Sequence, residues 1–476
     1  MRSLLPILAL LLLAVPVPRA AAQEKFPDLH NLGPLGGKAS PVTAGLPAEA
    51  KSGLQVQQVY KQGPAQDAGL KVGDVIYGAG DKLFGADTYL ELADAILAAE
   101  AEAAHTCKLK VKRAGETLEL PVSLVHYADE TARRKAIRDG ALAWLAKQQD
   151  GKEGGFYSTM SPEVSQVVLT SLAGLCWLAS GEKFGEGKYD DEILLAAAFV
   201  EDKVGEQKQY KKLNGKNNNQ TNWSLGYGGI FLAHVVKLGE EGGVAKSKLS
   251  KFKKKLGWIR DRIFKQAEPD GGFAHGPGGE NILGYVHLEI LSNFCLAALG
   301  CIQAAGVEVD AGKLAPLLKY VESCQMPDGG IGYAHDKLWF SEQGRTAGAM
   351  NAFASLGQAG RECYPKMKGY FEKHLANAFD GHSTPTMHQL ATAIACKRHG
   401  MMEQYWQAQR REYTMVRNPD FSFAYRPTAD TARLGMNIDR DIGLVWTTCQ
   451  WLLIQELENG AAPLWVGTLE QTPDDG

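Results

Sequence analysis

The sequence lacks an excess of charge of either sign. Its 51 Lys and Arg residues nearly balance its 54 Asp and Glu residues, which leaves a formal net charge of −3. Domains that bind nucleic acids usually carry a basic face, so the composition argues against a nucleic-acid partner. A local basic run, KSKLSKFKKK at Lys246–Lys255, fits the solvated face of an amphipathic helix better than an anion site.

The eight cysteines lack the arrangement of a metal site. There is no CxxC pair and no Cys/His spacing typical of zinc, so we expect no metal and no cofactor. A Gly-x-Ser-x-Gly motif is also absent, which disfavours a serine hydrolase. Most cysteines occupy apolar helical stretches in the place of Ala or Leu, which predicts buried thiols at positions such as Cys176, Cys295, Cys396 and Cys449.

Long hydrophobic runs are missing except at the start of the chain. Arg2, the apolar run Leu4–Val17 and the small residues Ala20–Ala22 are typical of a secretory signal peptide cleaved after Ala22. The run is short for a membrane span and no second one follows. We therefore expect an exported chain, periplasmic or secreted, without stable membrane insertion.

The remaining chain is too long for one ordinary domain, so two domains are expected. The change from short alternating segments to long helical periodicity marks the boundary near Tyr127. The predicted organisation is a signal peptide at 1–22, a small domain at 23–127 with its core at about 50–126, a helical domain at 128–460 and a tail at 461–476.

The sequence pattern of the small domain predicts strands together with two helices. Leu54, Val56 and Val59 fit a strand, GDVIYGAG a second strand with a tight turn, and CKLKVKRAGETLELPVSL a hairpin around Ala114-Gly115. Between them, TYLELADAILAAEAE has helical spacing, with its apolar residues on one face at Leu90, Ala93, Ile96 and Leu97.

This domain resembles PDZ domains of the bacterial protease type over about Asn31–Leu124. The resemblance is carried by Gly63-Pro64-Ala65, Ala68-Gly69-Leu70 and Gly73-Asp74-Val75-Ile76. It implies protein or peptide binding by strand addition, with a loop of backbone N–H groups holding a C-terminal carboxylate. The implied groove comprises the loop NLGPLGG and the helix, at Leu32, Gly33, Leu35, Gly36, Leu90 and Ala93.

Pro34 departs from the PDZ pattern, because it removes a backbone donor from that loop. Three uses of the domain are therefore open: capture of C-termini, binding of internal peptides, or docking on the neighbouring domain.

The helical domain contains an internal repeat. QMPDGGIGYAH at Gln325–His335 closely copies QAEPDGGFAHG at Gln266–Gly276, and each copy lies between an amphipathic helix and a more apolar one. Six such hairpins are recognisable, and their second helices begin near Ser161, Asn222, Glu280, Glu342, Thr384 and Asn437. Helices that are apolar all round must be buried, so the second helices are expected inside. Six pairs can close into an α/α toroid; an open solenoid is the alternative.

The turn and the repeat resemble the toroid of terpenoid cyclases and protein prenyltransferase β subunits, over roughly Lys135–Leu457. The resemblance implies a structural role for the Gln and Gly residues of the turn. The two resemblances together imply a multidomain fold class, with a small α+β PDZ domain followed by an all-α (α/α)6 toroid. The motifs of the known activities are missing: an Asp-x-Asp-Asp proton donor on an inner helix, the zinc-binding Asp-x-Cys, and the Gly-Cys-Gly-Glu-Gln thioester.

Polar residues recur near the starts of the predicted inner helices. Such starts offer partial positive charge and N–H groups to ligands. The set is Asn222, Tyr227, Tyr285, His287, Glu289, Glu342, Arg345, His388, Asp439, Arg440 and Asp441, with His275 and His335 on preceding loops. Each residue is also explicable as a helix cap, an ion pair or a core histidine.

Two functions fit these residues. The first is an exported binding or scaffolding protein with a PDZ module and a ligand pocket at one end of the toroid. The second is a polysaccharide lyase or hydrolase acting on acidic glycans, with Tyr285 or Tyr227 and His287 as base and acid and Arg345 as the carboxylate clamp. The predicted pocket comprises Tyr285, His287, Arg345 and His388, and their convergence in one cleft would favour the enzyme.

Overall fold

The computed structural model describes residues 29–208, 212–213, 215–281, 284–379 and 381–459. The predicted signal peptide (1–22) and tail (461–476) lie outside the described residues. Within them the chain divides into two compact units. The first combines the chain up to Trp144 with Gln404–Trp451, and the second combines Leu145–Glu403 with the chain from Leu452.

The first unit contains an antiparallel sheet. Its strands are β1 His30–Asn31, β2 Gly37–Val42, β3 Gly53–Val59, β4 Val75–Ala79, β5 Lys82–Leu83, β6 Thr106–Arg113 and β7 Glu116–Ser123. They lie in the order β1-β2-β3-β4-β6-β7, with β5 paired to β4. Ala114 and Gly115 both take positive φ (49° and 94°), as a tight hairpin turn requires, and they join β6 to β7 as the sequence predicts.

Two helices complete this sheet domain, α1 Pro64–Asp67 and α2 Thr88–Ala101. The predicted apolar face of α2 is confirmed: Ala93 and Ile96 are fully buried, and Leu90 packs against the same core. Asp87 caps α2, since its side chain accepts a hydrogen bond from the Leu90 N–H. The strands and helices expected from the sequence pattern are therefore present, in the α+β architecture that the resemblance to PDZ domains implies.

Among the other described residues, all regular elements are helices apart from β8 Lys212–Leu213 and β9 Lys216–Asn217. No helix in the described part of the chain combines the length and apolar character needed to span a membrane. The helices are α3 Glu130–Gln148, α4 Pro162–Leu178, α5 Asp190–Lys203, α6 Thr221–Gly242, α7 Lys246–Gln266, α8 Glu289–Ala304, α9 Ala311–Ser323, α10 Gln343–Ser355, α11 Cys363–Lys373, α12 Pro385–Arg398, α13 Met402–Val416, α14 Ala429–Leu434, α15 Ile438–Ile442 and α16 Leu444–Glu456.

In the second unit, buried and amphipathic helices alternate as predicted. The buried helices pack in chain order, α4 on α6, α6 on α8, α8 on α10 and α10 on α12. The intervening helices expose one face; the basic run of α7, for example, leaves Leu249, Phe252 and Leu256 buried and most of its lysines exposed. All eight cysteines are buried, and no disulfide joins them within the described residues.

The repeated Gly-Gly turn packs against the next amphipathic helix. Gly271 has φ of +89°, and a Cβ there would lie 2.3 Å from the Pro316 carbonyl oxygen of α9. Gly272 faces the ring of Tyr320 on the same helix. The second copy repeats both contacts, Gly329 against Lys366 and Gly330 against Tyr370 of α11. Only glycine fits these approaches, so the structural role expected for the turn is observed.

Two boundaries differ from the sequence prediction. The third buried helix begins at Glu289, not near Glu280, because Gly278, Gly279 and Gly284 take positive φ and cannot continue a helix. The last predicted inner helix is broken into α15 and α16 by Gly443, whose φ is +106°.

Candidate functional site

The starts of the buried helices in the second unit lie beside one another. The Asn222 N–H of α6 donates to the His275 carbonyl oxygen (3.0 Å), and the Glu289 N–H of α8 donates to that of Tyr333 (3.0 Å). The His382 N–H donates to the Glu342 carboxylate at the start of α10 (2.7 Å). Each helix start thus contacts the loop that precedes the next buried helix. We call these loops the rim: Phe273–Asn281, Gly284–Leu288, Ile331–Glu342 and Gly381–Thr384.

A chain of hydrogen bonds ends at Tyr285 on the rim. Trp223 Nε1–H donates to His275 Nδ1 (2.7 Å), so the proton of the neutral His275 ring lies on Nε2. That nitrogen is 2.7 Å from the Tyr285 hydroxyl and donates to it. Burial lowers the pKa of His275 to about 4, so the ring is neutral at neutral pH. The Tyr285 hydroxyl is held in place without any charge on its partner.

Tyr285 and Tyr333 stay protonated at neutral pH. Burial, and then the neighbouring Tyr333 hydroxyl, raises the pKa of Tyr285 well above its ordinary value. Burial also raises the pKa of Tyr333. Their rings meet edge to face with centroids 6.2 Å apart, a favourable aromatic geometry. The two hydroxyls can therefore donate hydrogen bonds or protons, but neither is an ionised base.

Arg345 and His388 lie below the rim surface. Arg345 Nη1 is 3.0 Å from Glu342 Oε2, and His388 Nδ1 is 3.4 Å from the same oxygen. All three residues are at most 4 % exposed. The guanidinium lies over the rings of Tyr333 (5.5 Å) and Phe340 (5.4 Å). Arg345 thus stabilises the rim through its contacts with Tyr333 and Phe340, and Glu342 compensates its charge.

A further carboxyl near Arg345, that of Glu289, has a pKa that is set mainly by burial. Glu289, the first residue of α8, is fully buried, and Asn293 is its hydrogen-bonding neighbour. Burial raises the pKa of Glu289 well above its ordinary value, although Arg345 acts against this. The protonated carboxyl is the form that such an environment favours.

The four residues predicted to form the pocket are only partly brought together. Tyr285, Arg345 and His388 belong to one network, which is linked through Tyr333 and Glu342. His287 instead lies against Asp270 and His335. Tyr227, the alternative acid or base, is 1 % exposed and packs on Phe294 in the core.

The predicted carboxylate-binding loop of the PDZ domain is covered by the chain itself. Every residue from Asn31 to Gly37 is buried. Asn31 Nδ2 donates to the Met415 carbonyl oxygen (2.9 Å). A Cβ on Gly33 would lie 2.9 Å from the Thr414 carbonyl oxygen. The predicted groove residues Leu32, Leu35 and Ala93 are fully buried, Gly36 faces Pro419, and Leu90 packs against the core of the PDZ domain. The loop therefore contacts α13, which corresponds to the docking alternative.

A buried ion cluster reinforces this docking. Glu100 of α2 is 3.1 Å from Arg133 Nε of α3, and its other oxygen pairs with Arg417 Nη2. Arg417 Nη1 also donates to the Tyr127 hydroxyl (3.2 Å). Charges as buried as these are tolerated only when they are paired and hydrogen-bonded. The sheet domain and the helices of the first unit are thus held together by specific polar contacts.

A cavity of 620 Å³ opens beside the same loop. Its walls include Lys38, Tyr60, Asp420, Tyr425 and Arg440. Burial, followed by Arg440, lowers the pKa of Lys38, whose ammonium lies 5.1 Å from the centre of the Tyr425 ring. Arg440 was among the polar residues noted near the helix starts, whereas nothing in the sequence pattern indicated Lys38 or Tyr60.

Comparison with known proteins places most of the chain in one family. Residues 134–448 match the profile of a domain of unknown function, DUF6288. The chain belongs to this family. Residues 35–124 match the PDZ domain, which points to protein or peptide binding. No curated protein matches the chain.

The helical region of this DUF6288 chain has structural neighbours in the α/α toroid class. One is the α-1,6-mannanase GH76A of Salegentibacter sp. HEL1_6 (10 % identity, 69 % of this chain, 99 % of that chain, TM-score 0.49). Another is the type II terpene cyclase MstE of Scytonema (15 %, 70 %, 99 %, 0.40). A third is a family 88 glycosyl hydrolase of Bacteroides vulgatus (11 %, 69 %, 99 %, 0.43).

Proposed function

We propose that this chain is an exported binding protein that holds glycans on the rim of its helical unit, while its PDZ domain serves as an internal scaffold. The observation that supports this most is Trp339. It is 59 % exposed, stacks on Tyr333 with ring centroids 4.4 Å apart, and has φ of +51°. A bulky residue rarely takes this conformation, and strained residues cluster at ligand sites.

The chemistry of the rim suits a sugar. Flat aromatic faces pack against the apolar faces of pyranose rings, and hydroxyl groups beside them exchange hydrogen bonds with the sugar hydroxyls. Trp339 and the neighbouring exposed Phe340 supply such faces. Tyr285, Tyr333 and His382 supply polar groups next to them. Exposed aromatic patches on soluble proteins usually mark an interaction surface.

The PDZ domain is better suited to internal docking than to an external peptide. Its loop from Asn31 to Gly37 is buried, and Pro34 offers no N–H. The segment before the loop is also engaged, because β1 pairs with β2 and the His30 ring lies 5.1 Å from that of Tyr89 on α2.

Calorimetry on the purified chain tests the ligand class. Acidic glycans, neutral glycans and C-terminal peptides are titrated separately. We expect glycan binding, and at least tenfold weaker binding by Trp339→Ala, which corresponds to about 1.4 kcal/mol. Trp258→Ala is the matched control, since Trp258 is 43 % exposed but belongs to α7 and not to the rim loops. Binding of peptides alone, or equal losses in both variants, would contradict the proposal.

A second candidate, a polysaccharide lyase acting on acidic glycans, is favoured by the oriented hydroxyl of Tyr285. In β-elimination a base removes the proton at C5, the C4–O bond breaks, and the leaving oxygen takes up a proton. Tyr285 is placed to donate that last proton, since its pKa is raised and His275 fixes its oxygen. Arg345 is not in a position to clamp the uronate, because Glu342 already neutralises it.

Product analysis separates the two candidates. Elimination creates a conjugated double bond whose ultraviolet absorbance grows with time. For a lyase, Tyr285→Phe should abolish this signal while the glycan binding that Trp339 supports is weakened but not lost. Tyr364→Phe, a tyrosine bonded to His399 elsewhere in the unit, should change neither. If the unmodified protein binds glycan but forms no product, the lyase function is excluded and only the binding function remains.

A further inference from the structure

Asp270, in the turn that precedes the rim, and His287 and His335 on the rim bring three potential metal ligands to one point. Asp270 Oδ2 is 2.8 Å from His287 Nδ1 and 3.3 Å from His335 Nδ1. The ligand atoms of all three residues lie within 4.8 Å of one another, and the two imidazole centroids are 4.5 Å apart. This cluster is separate from the Tyr285–Arg345 network.

The repeated turn aims the Asp270 carboxylate at the histidines. Its Oδ1 accepts the Gly272 N–H (3.0 Å), which closes the turn and leaves Oδ2 facing outward. In the next copy of the turn, Asp328 Oδ1 accepts both the Gly330 N–H (3.0 Å) and the Ser341 hydroxyl (2.6 Å). The aspartate of each copy thus accepts a glycine N–H within the turn, but its further partner differs. Asp328 accepts the Ser341 hydroxyl, whereas Asp270 faces two imidazoles.

His287 faces a carboxylate oxygen with each ring nitrogen. Its Nδ1 is 2.8 Å from Asp270 Oδ2, and its Nε2 is 3.3 Å from Asp336 Oδ1. In the tautomer that donates from Nε2 to Asp336, the Nδ1 lone pair is presented on the side where Asp270 and His335 lie. This is the orientation in which a histidine binds a metal with one nitrogen and a carboxylate with the other.

We propose that Asp270, His287 and His335 bind a divalent transition-metal cation, with Zn²⁺ as the first choice. Zinc bonds of about 2.0–2.2 Å in tetrahedral geometry place neighbouring ligand atoms about 3.3–3.6 Å apart. Asp270 Oδ2 and His335 Nδ1 already have this separation (3.3 Å), whereas His287 Nδ1, 2.8 Å from Asp270 Oδ2, would move slightly outward on binding. Imidazole with carboxylate suits zinc and its first-row neighbours better than Ca²⁺ or Mg²⁺.

Asp336 would be the outer partner of this site. Metal-binding histidines usually donate their second ring N–H to a carboxylate, which fixes the ring, and Asp336 meets His287 in this way. The Tyr320 ring forms the inner wall, with centroids 5.4 Å from His287 and 5.5 Å from His335. Asp270 and His335 are exposed, so a fourth position is open to water or a ligand oxygen, as in catalytic rather than structural zinc sites.

Titration of the chelator-treated, dialysed protein with zinc chloride tests the site. We expect one ion per chain, and no detectable binding at this site in Asp270→Asn, His287→Ala or His335→Ala. Asp336→Asn should weaken binding about 10–100-fold, as removal of an outer partner does. Asp328→Asn is the matched control, because it occupies the same turn position without a histidine, and should bind as the unmodified protein does.

Cobalt(II) gives a second readout that does not depend on activity. Its visible absorption is strong in tetrahedral sites with nitrogen ligands, and should appear with the unmodified protein and with Asp328→Asn but not with His335→Ala. Circular dichroism of each metal-free variant checks that the fold is kept. The proposal is wrong if folded Asp270→Asn and His335→Ala bind zinc with unchanged affinity, or if the unmodified protein binds no zinc.

Discussion

Glu342 and Arg345 form a buried ion pair within the first turn of α10, with 3.0 Å between Oε2 and Nη1. The same glutamate accepts the His382 N–H from the next loop. The pair therefore joins one buried helix to the loop before the next one, and both partners are almost inaccessible to solvent.

Removal of either partner should destabilise the fold rather than only alter a ligand site. Arg345→Ala leaves Glu342 without its cation in the interior, a loss typical of about 3–5 kcal/mol. Lys368→Ala, which breaks an exposed pair with Glu372, should cost about 0.5 kcal/mol or less. Denaturant unfolding followed by circular dichroism measures both. Equal stability of the two variants would mean that the buried pair is not structural.

The Gly-Gly turn predicts a graded response to alanine. At Gly271, an added Cβ meets both a left-handed backbone (φ +89°) and the Pro316 oxygen at 2.3 Å. At Gly279, it meets a left-handed backbone (φ +77°) and open space. The backbone term is about 1–2 kcal/mol, so Gly279→Ala should show that loss alone and Gly271→Ala a distinctly larger one. Thermal unfolding compares them, and similar melting temperatures would show that the α9 contact contributes nothing.

The sequence predicts much of the fold because its signals are local. Alternation gives the strands, Ala114-Gly115 gives the hairpin turn, and the PDGG motifs give the corners with their helices. Where a glycine-rich loop replaces periodicity, as before Glu289, the helix start is displaced. The candidate sites were harder to predict, because Asp270 and His335 come from different copies of the repeat. Their distance depends on how neighbouring helices pack, and no local pattern reports it. The burial of Arg345 could not be predicted for the same reason, because it too depends on how neighbouring helices pack.

The PDZ loop provides a test of internal docking. Gly33 and Gly45 both have positive φ (+62° and +72°), but a Cβ on Gly33 would lie 2.9 Å from the Thr414 oxygen, whereas Gly45 has open space around it. Gly33→Ala should therefore lower the melting temperature more than Gly45→Ala. The pair of variants shares the backbone strain, so the difference reports the contact with α13. If the loop were open to peptides instead, the two substitutions would cost the same.

His275 should make stability depend on pH in a defined window. Burial lowers its pKa from 6.5 to about 4 in the folded chain, so the unfolded chain binds more protons between these values. The free energy of unfolding must then rise with pH from about 4 to about 6.5, and the stabilisation by neutral His275 is lost as the pH falls through this window. His275→Gln keeps a polar side chain that cannot be protonated here.

The difference between the two unfolding profiles isolates His275, because the pKa of His30 is also lowered to about 4 and contributes to both. We expect the unmodified protein to lose more stability than His275→Gln between pH 6.5 and 4, with parallel profiles above pH 7. Denaturant unfolding at closely spaced pH values gives the slopes. Parallel profiles over the whole range would show that His275 titrates normally, and the neutral hydrogen-bond chain from Trp223 to Tyr285 would have to be abandoned.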